Sequence, residues 1–177
     1  YVVPGTLMFV GADVATTAAN VTLIGANSKV VSDASGNPDA FRDLATNAAG
    51  GSFSIQQGRN FTTPGAFANA GTVAVGSGSA FTSTGAFTQS STGVLSGTGT
   101  VVGNVTSSGS VRPGGVGSIG VLTIQGNYTQ NSDGSTTTEI GGAAPGTGYD
   151  QLAVTGQATL GGTLYAPMVN GFAPGNQ

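Results

Sequence analysis

The chain has 177 residues, of which four are Lys or Arg, seven are Asp or Glu and 32 are Gly, with no His, Cys or Trp. Disulfides, thiol- or His-based catalytic triads, and Cys- or His-ligated zinc, iron–sulfur or haem sites have no residues to build with. Four scattered cations also exclude a nucleic-acid footprint, which needs clustered Lys and Arg.

The length suits one domain or one module of a larger chain. Val and Thr, which favour strands, are plentiful, and the helix formers Lys, Glu, Arg and Met are scarce. The composition therefore points to an all-β chain with Gly-rich turns. No apolar window of about 18 residues is present to span a membrane as a helix. No basic-then-apolar leader follows Tyr1, so a signal peptide is expected to have been removed or left out.

In chain order, Val2–Val10, Val21–Ile24 and Lys29–Val31 read as strands of irregular first coils. Asn37–Asn47 (NPDAFRDLATN) is the one helix-like stretch. Asn37 can cap, Pro38 suits a first helical position and Asp39 suits the positive end. With Asp33, Asp39, Arg42 and Asp43 it gathers much of the charge. It reads as a loop or short helix protruding over 37–47, serving solubility or as a lateral cap in preference to a contact site.

A repeat follows. Gly51–Ala70 aligns without a gap on Gly71–Ser90, at an offset of 20. Phe61-Thr62 meets Phe81-Thr82, Gly65-Ala66-Phe67 meets Gly85-Ala86-Phe87, and Phe53 and Ile55 meet Val73 and Val75. The phrase returns at Gly126–Gln130, 41 residues after Gly85–Gln89. Apolar residues alternate inside each unit, which is the pattern of short strands with one face inward. A unit of this size cannot bury its apolar face alone, but stacked copies can. The expected architecture is a parallel β-solenoid of about 20 residues per coil. Val, Ile, Phe and Leu should fill a narrow interior, Gly should turn the corners, and Ser, Thr and Asn should stack outside. A β-sandwich shares the short strands and Gly turns but not the fixed period.

Val94–Val105 reads as a compressed coil and Val111–Gly120 (VRPGGVGSIG) as a tight bend leading into Val121–Gln130. Ser135–Ile140 is a strand, Ala143–Gly148 a turn, and Tyr149–Thr155 and Ala158–Val169 are the last strands, with Gly161-Gly162 as a corner. The organisation is one module: irregular coils over 1–50, regular coils over 51–140 and C-terminal coils over 141–177.

Three of these segments resemble a known family. Gly97–Gly115 (GTGTVVGNVTSSGSVRPGG), Leu122–Gln130 (LTIQGNYTQ) and Tyr149–Phe172 (YDQLAVTGQATLGGTLYAPMVNGF) are similar to the C-terminal passenger region of bacterial autotransporters and haemagglutinin-like surface proteins. The resemblance covers about residues 51–172. It implies a secreted, right-handed parallel β-helix that carries or props up adhesive or enzymatic parts. The barrel strands that follow in that family are missing, so the expectation is a released passenger, a fragment, or a relative exported another way.

A β-helical lyase or hydrolase needs paired carboxylates, or Asp with Lys or Arg, on one face. Asp133, Glu139 and Asp150 are the candidates. Their spacings of 6 and 11 ignore the repeat, so they read as turn and surface carboxylates. Arg59 and Arg112 lie beside coil corners, and Asp39 with Asp43 reads as a solvated face. The calcium-binding Gly-Gly-x-Gly-x-Asp repeat is absent. No catalytic, cofactor-binding or metal-binding residue is assigned. Thr62 should stack on Thr82, and Thr88 on Thr129 with one coil between. Ice binding is set aside for want of a continuous Thr-x-Thr rank. Tyr1–Val3 and Leu164–Asn170 are apolar strands near the ends without a strong cap, which invites strand addition and end-to-end self-association, and the low-charge surface would also permit lateral self-association.

The sequence therefore predicts a non-enzymatic structural or adhesive module at a bacterial cell surface, binding an unknown host or surface ligand. The alternative is a subunit of an extracellular filament, and a polysaccharide-cleaving enzyme comes third.

Overall fold

The structure is a computed structural model and describes residues 2–3, 6–8, 13–32, 39–173 and 175. Tyr1, Asp33, Asn37 and Pro38 lie outside the described residues.

Short strands follow one another in triplets, each triplet making one coil. The first coil holds β1 (Val2–Val3), β2 (Thr6–Met8) and β3 (Thr16–Thr17), and the second holds β4 (Asn20–Ile24), β5 (Lys29–Val31) and β6 (Thr46–Asn47). The third has β7 (Ser52–Gln56), β8 (Phe61–Thr63) and β9 (Phe67–Asn69), and the fourth β10 (Thr72–Val75), β11 (Ala80–Ser83) and β12 (Phe87–Gln89). The fifth has β13 (Val94–Gly97), β14 (Thr100–Val102) and β15 (Val105–Ser107), and the sixth β16 (Ser110–Pro113), β17 (Val121–Gln125) and β18 (Tyr128–Gln130). The seventh has β19 (Ser135–Thr137), β20 (Gln151–Val154) and β21 (Ala158–Leu160), and β22 (Thr163–Tyr165) opens an eighth.

Every strand pairs in parallel with its counterpart one coil away. The first sheet runs unbroken through eight strands, β1-β4-β7-β10-β13-β16-β19-β22, and the third through seven, from β3 to β21. The second is divided into β2-β5 and β8-β11-β14-β17-β20. No helix occurs among the described residues, and antiparallel contact is confined to the isolated bridges Val31↔Asp39 and Ile140↔Tyr149. The fold is the parallel β-solenoid that the repeat predicts. Phe53 pairs with Val73, and Phe61 with Phe81, at the predicted offset of 20. Elsewhere the coil length drifts. Val73 to Leu95 advances 22 residues, and Leu95 to Val111 only 16. Val21 to Phe53 takes 32 because 39–44 are inserted, and Thr136 to Leu164 takes 28 because 138–150 are.

Of the two alternatives for the first insertion, a loop or a short helix, the described residues 39–44 take the loop: Asp39 Oδ1 accepts the Phe41 N–H at 3.0 Å, and Phe41 O accepts the Leu44 N–H at 2.9 Å. The departure from expectation is in its direction. The described part packs inward instead of protruding. Ala40, Phe41 and Leu44 are buried, and the Phe41 ring meets Phe53 edge-on at 5.5 Å. It is a plug, set where the second sheet is divided. Apolar side chains three apart serve either a helix face or a turn tucked inward.

Inside, aromatic rings form a column. Phe81 touches Phe61, Phe67, Phe87 and Phe53 at centroid distances of 5.5, 4.9, 5.7 and 6.3 Å. Beside it runs a second column that is polar. From β9 on, strands of the third sheet have three residues, with the outer two at inward positions; β3 and β6 have two, the second inward. The first is apolar (Phe67, Phe87, Val105, Tyr128), but the last is Asn47, Asn69, Gln89, Ser107 and Gln130, stacked in register and buried. The expectation that Asn stacks on outer faces is corrected here. Asn47 Nδ2 donates to Asn69 Oδ1 at 2.9 Å, Asn69 Nδ2 to Gln89 Oε1 at 3.3 Å, and Gln89 Nε2 to Ser107 Oγ at 3.1 Å. The same amides also donate to backbone carbonyls at the start of first-sheet strands: Asn47 to Thr72, Asn69 to Val94, Gln89 to Ser110 and Gln130 to Thr163, at 2.9 to 3.2 Å. Thr72, Val94, Ser110 and Thr163 hold one register position along the first sheet. The amides thus staple the third sheet to the first at every coil where the side chain is long enough. The turn between these sheets packs on the turn below so closely that a Cβ at Gly71 would enter the van der Waals shell of the Gly51 carbonyl oxygen.

Replacing Asn69 by the isosteric Leu leaves the buried Gln89 amide oxygen without its donor and removes the bonds to Asn47 and to the Val94 carbonyl. Asn69→Leu should therefore cost about 2–4 kcal/mol in denaturant unfolding, while Thr88→Ala on the same sheet's outer face should change stability by less than about 0.5 kcal/mol.

Candidate functional site

Three features could carry function: an outer rank of Thr, a pair of buried carboxyl groups, and the last coil.

The outward residue of each third-sheet strand falls in one file. Thr16, Thr46, Ala68, Thr88, Thr106, Thr129 and Thr159 pair in register. Thr88 and Thr129 stack as expected, with Thr106 between them, and Thr62 pairs with Thr82 on the second sheet. This file presents methyl and hydroxyl groups without charge. It is a single rank, because the residues flanking each Thr face inward.

The candidate acids separate. Asp133 sits in the exposed turn before β19, as expected. Glu139 and Asp150, expected at the surface, are buried and brought together. The Ile140↔Tyr149 bridge folds the 141–148 segment back on itself, so that 139 faces 150. Asp150 N–H donates to Glu139 O at 2.9 Å, and Glu139 N–H to Asp150 Oδ2 at 2.8 Å. Asp150 Oδ1 accepts the Gly120 N–H at 2.8 Å, and Glu139 Oε1 the Gly117 N–H at 3.0 Å. Glu139 Oε2 is buried with no hydrogen-bond partner. Burial pushes the Asp150 carboxyl up from its ordinary value of 3.8, the Glu139 charge adds to this, and the Glu139 and Gly120 N–H groups oppose it. The sequence signal for this pairing was the Ala143–Gly148 turn, which lies midway between the two acids.

Two of the remaining cations are in ion pairs. Arg42 pairs with Asp13 at 2.5 Å and Asp43 at 3.9 Å, and Arg59 pairs with Asp39 at 2.6 Å. These contacts pin the inserted plug to its neighbours. Arg112 lies on β16 and donates its Nε–H to Ser110 Oγ at 3.0 Å. Among the described residues, no three Asp or Glu side chains converge as metal ligands would.

At the last coil, interior positions meet solvent. Leu164 holds the register of buried Val111 and Thr136 yet is 64 % exposed, and Leu160 holds that of buried Gln130 yet is 63 % exposed. With Leu152, Val154 and Ala158 they line an apolar groove of about 300 Å³ beside Tyr128. Each of β20, β21 and β22 pairs on one side only. In the stretch at 164–170, Leu164 and Tyr165 of β22 and Met168 after it are exposed.

No protein-family model matches the chain, nor does any curated protein or solved structure.

Asp150 carries a sign that can be measured. Because burial raises its carboxyl, the folded state favours the protonated form, and this group's contribution to stability grows as pH falls through the raised value and is lost as pH rises through it. Asp150→Asn should cost about 1–3 kcal/mol near neutral pH, since an amide accepts at one end only. It should also flatten the acid-side gain in melts recorded at stepped pH.

Proposed function

We propose that the chain is a non-enzymatic structural module of an extracellular bacterial surface protein, a β-helical stalk that holds adhesive surface away from the cell. The observation that carries this reading is the first sheet, eight parallel strands in unbroken register. At about 4.8 Å per strand it forms a rod about 35 Å long. Its outer ranks are short polar side chains that suit a load-carrying shaft. The groups able to do chemistry are engaged in holding the backbone: Asp150 and Glu139 grip N–H groups, and Arg59 and Arg42 bind Asp39 and Asp13. The resemblance of 97–115, 122–130 and 149–172 to autotransporter passengers supplies the cell-surface location. On this reading, cells producing the full gene lose the chain to added protease without lysis, and cells displaying it attach to a surface better than cells that do not. Protection from the protease, or new reducing or unsaturated ends in acidic polysaccharides incubated with the purified chain, would sink the stalk.

A second reading, a filament subunit, is favoured by the exposed Leu160 and Leu164. Free strand edges beside apolar side chains suit another coil added in parallel. Negative-stain microscopy should then show fibres with an axial repeat of about 35–40 Å, and Leu160→Glu with Leu164→Glu should abolish them. Monodisperse particles of the unaltered chain at high concentration dispose of this reading.

A further inference from the structure

Pro113 ends β16, and the chain then turns through residues 114–120, where Gly114, Gly115 and Gly117 take φ of 75°, 107° and 71°. Such a segment has much conformational freedom to lose. At its tip Val116 is 78 % exposed, an apolar side chain held out in water. The N–H groups of Gly117 and Gly120 both end on carboxyl groups from the seventh coil, Glu139 and Asp150. Glu139 therefore holds the Gly117 N–H, while Gly120 is held twice, by Asp150 at its N–H and by the Gln151 N–H at its carbonyl, 2.9 Å away.

Their surroundings contain no compensating cation. Arg112 on β16 makes no ion pair with either, Tyr149 has no cationic form, and the ion pairs among the described residues belong to Arg42 and Arg59 in the second and third coils. Two like charges in a dry corner repel, and Glu139 Oε2 lacks even a hydrogen-bond donor. A buried charged oxygen without a partner is costly. One proton on the pair relieves both costs while leaving acceptors for Gly117 and Gly120. With both groups charged, the Glu139 side chain gains by swinging to water, and its grip on Gly117 goes with it.

We propose that Glu139 and Asp150 form a proton-operated latch on the 114–120 loop. The latch is seated while the pair holds a proton and loosened once both carboxyl groups are charged, which frees the loop and its Val116 tip. The raised position of the Asp150 carboxyl agrees with this direction.

The test is amide hydrogen exchange read by NMR on the whole chain, as protection factors corrected for base catalysis. From the ordinary carboxyl value of 3.8 up to about pH 8, protection at Gly117 and Gly120 should fall by about tenfold or more, one unit of titration shift being a factor of ten. Gly93, whose N–H bonds to the Ser90 carbonyl at 2.9 Å, should not respond. Glu139→Gln removes the charge conflict and keeps an acceptor for Gly117, so its profile at Gly117 should be flat, while Gly120, bonded to the still buried Asp150, is free to keep a response of its own size. A flat profile at Gly117 in the unaltered chain overturns the latch whether or not the variant folds. So does a pH response at Gly117 that persists in Glu139→Gln. Alkaline loss of protection that added calcium ions restore and a chelator removes would make the pair a cation site and would also overturn it.

Discussion

Each strand is hydrogen-bonded to the strand one coil below in parallel register, and every other feature answers to that constraint. A residue faces its own counterpart at about 4.8 Å along the stack. A charge on one coil would meet a like charge on the next if the unit simply repeated, and such pairs destabilise a sheet. Thr, Ser, Ala and Asn stack without this cost. The shortage of charge is thus a condition of stacking near-identical coils. Five of the charges that remain sit where the period breaks: Asp39, Arg42 and Asp43 at the plug of 39–44, and Glu139 and Asp150 at the segment that brings them together.

The same constraint decides the interior. Apolar side chains build one column around Phe81, and amides build the other, stapling the third sheet to the first across the turn. Removing a coil's amide would take a donor from the next amide in the column. The turn leaves so little room that Gly71 can carry no Cβ, so the abundance of glycine reflects closeness of approach as much as freedom of φ.

Much of this was legible in the sequence, because period and register are the same quantity seen twice. The ungapped alignment of 51–70 with 71–90 gives the pairing of Phe53 with Val73 and of Phe67 with Phe87 directly. Thr88 and Thr129, two coils apart, were legible for the same reason. What stayed hidden depended on which way a side chain points. Asn69 and Gln89 carry polar groups that ordinarily face water, yet they stand two residues after Phe67 and Phe87 and so share the inward face. Phe41 and Leu44 suit a helix face or an inward turn equally well. Glu139 and Asp150 lie 11 apart, a spacing foreign to the repeat, and meet only because the bridge at Ile140 and Tyr149 doubles the chain back.

The amide column also has a direction. Asn47 gives its hydrogen to Asn69, Asn69 to Gln89 and Gln89 to Ser107, always toward the C-terminal coils. At its foot, Asn47 Oδ1 is buried and receives nothing, so the column begins on an open acceptor. Bonds linked head to tail polarise one another, and their dipoles add along the rod axis. The solenoid is therefore an electrically oriented object as well as a geometrically oriented one, with its two ends distinguishable from within the core.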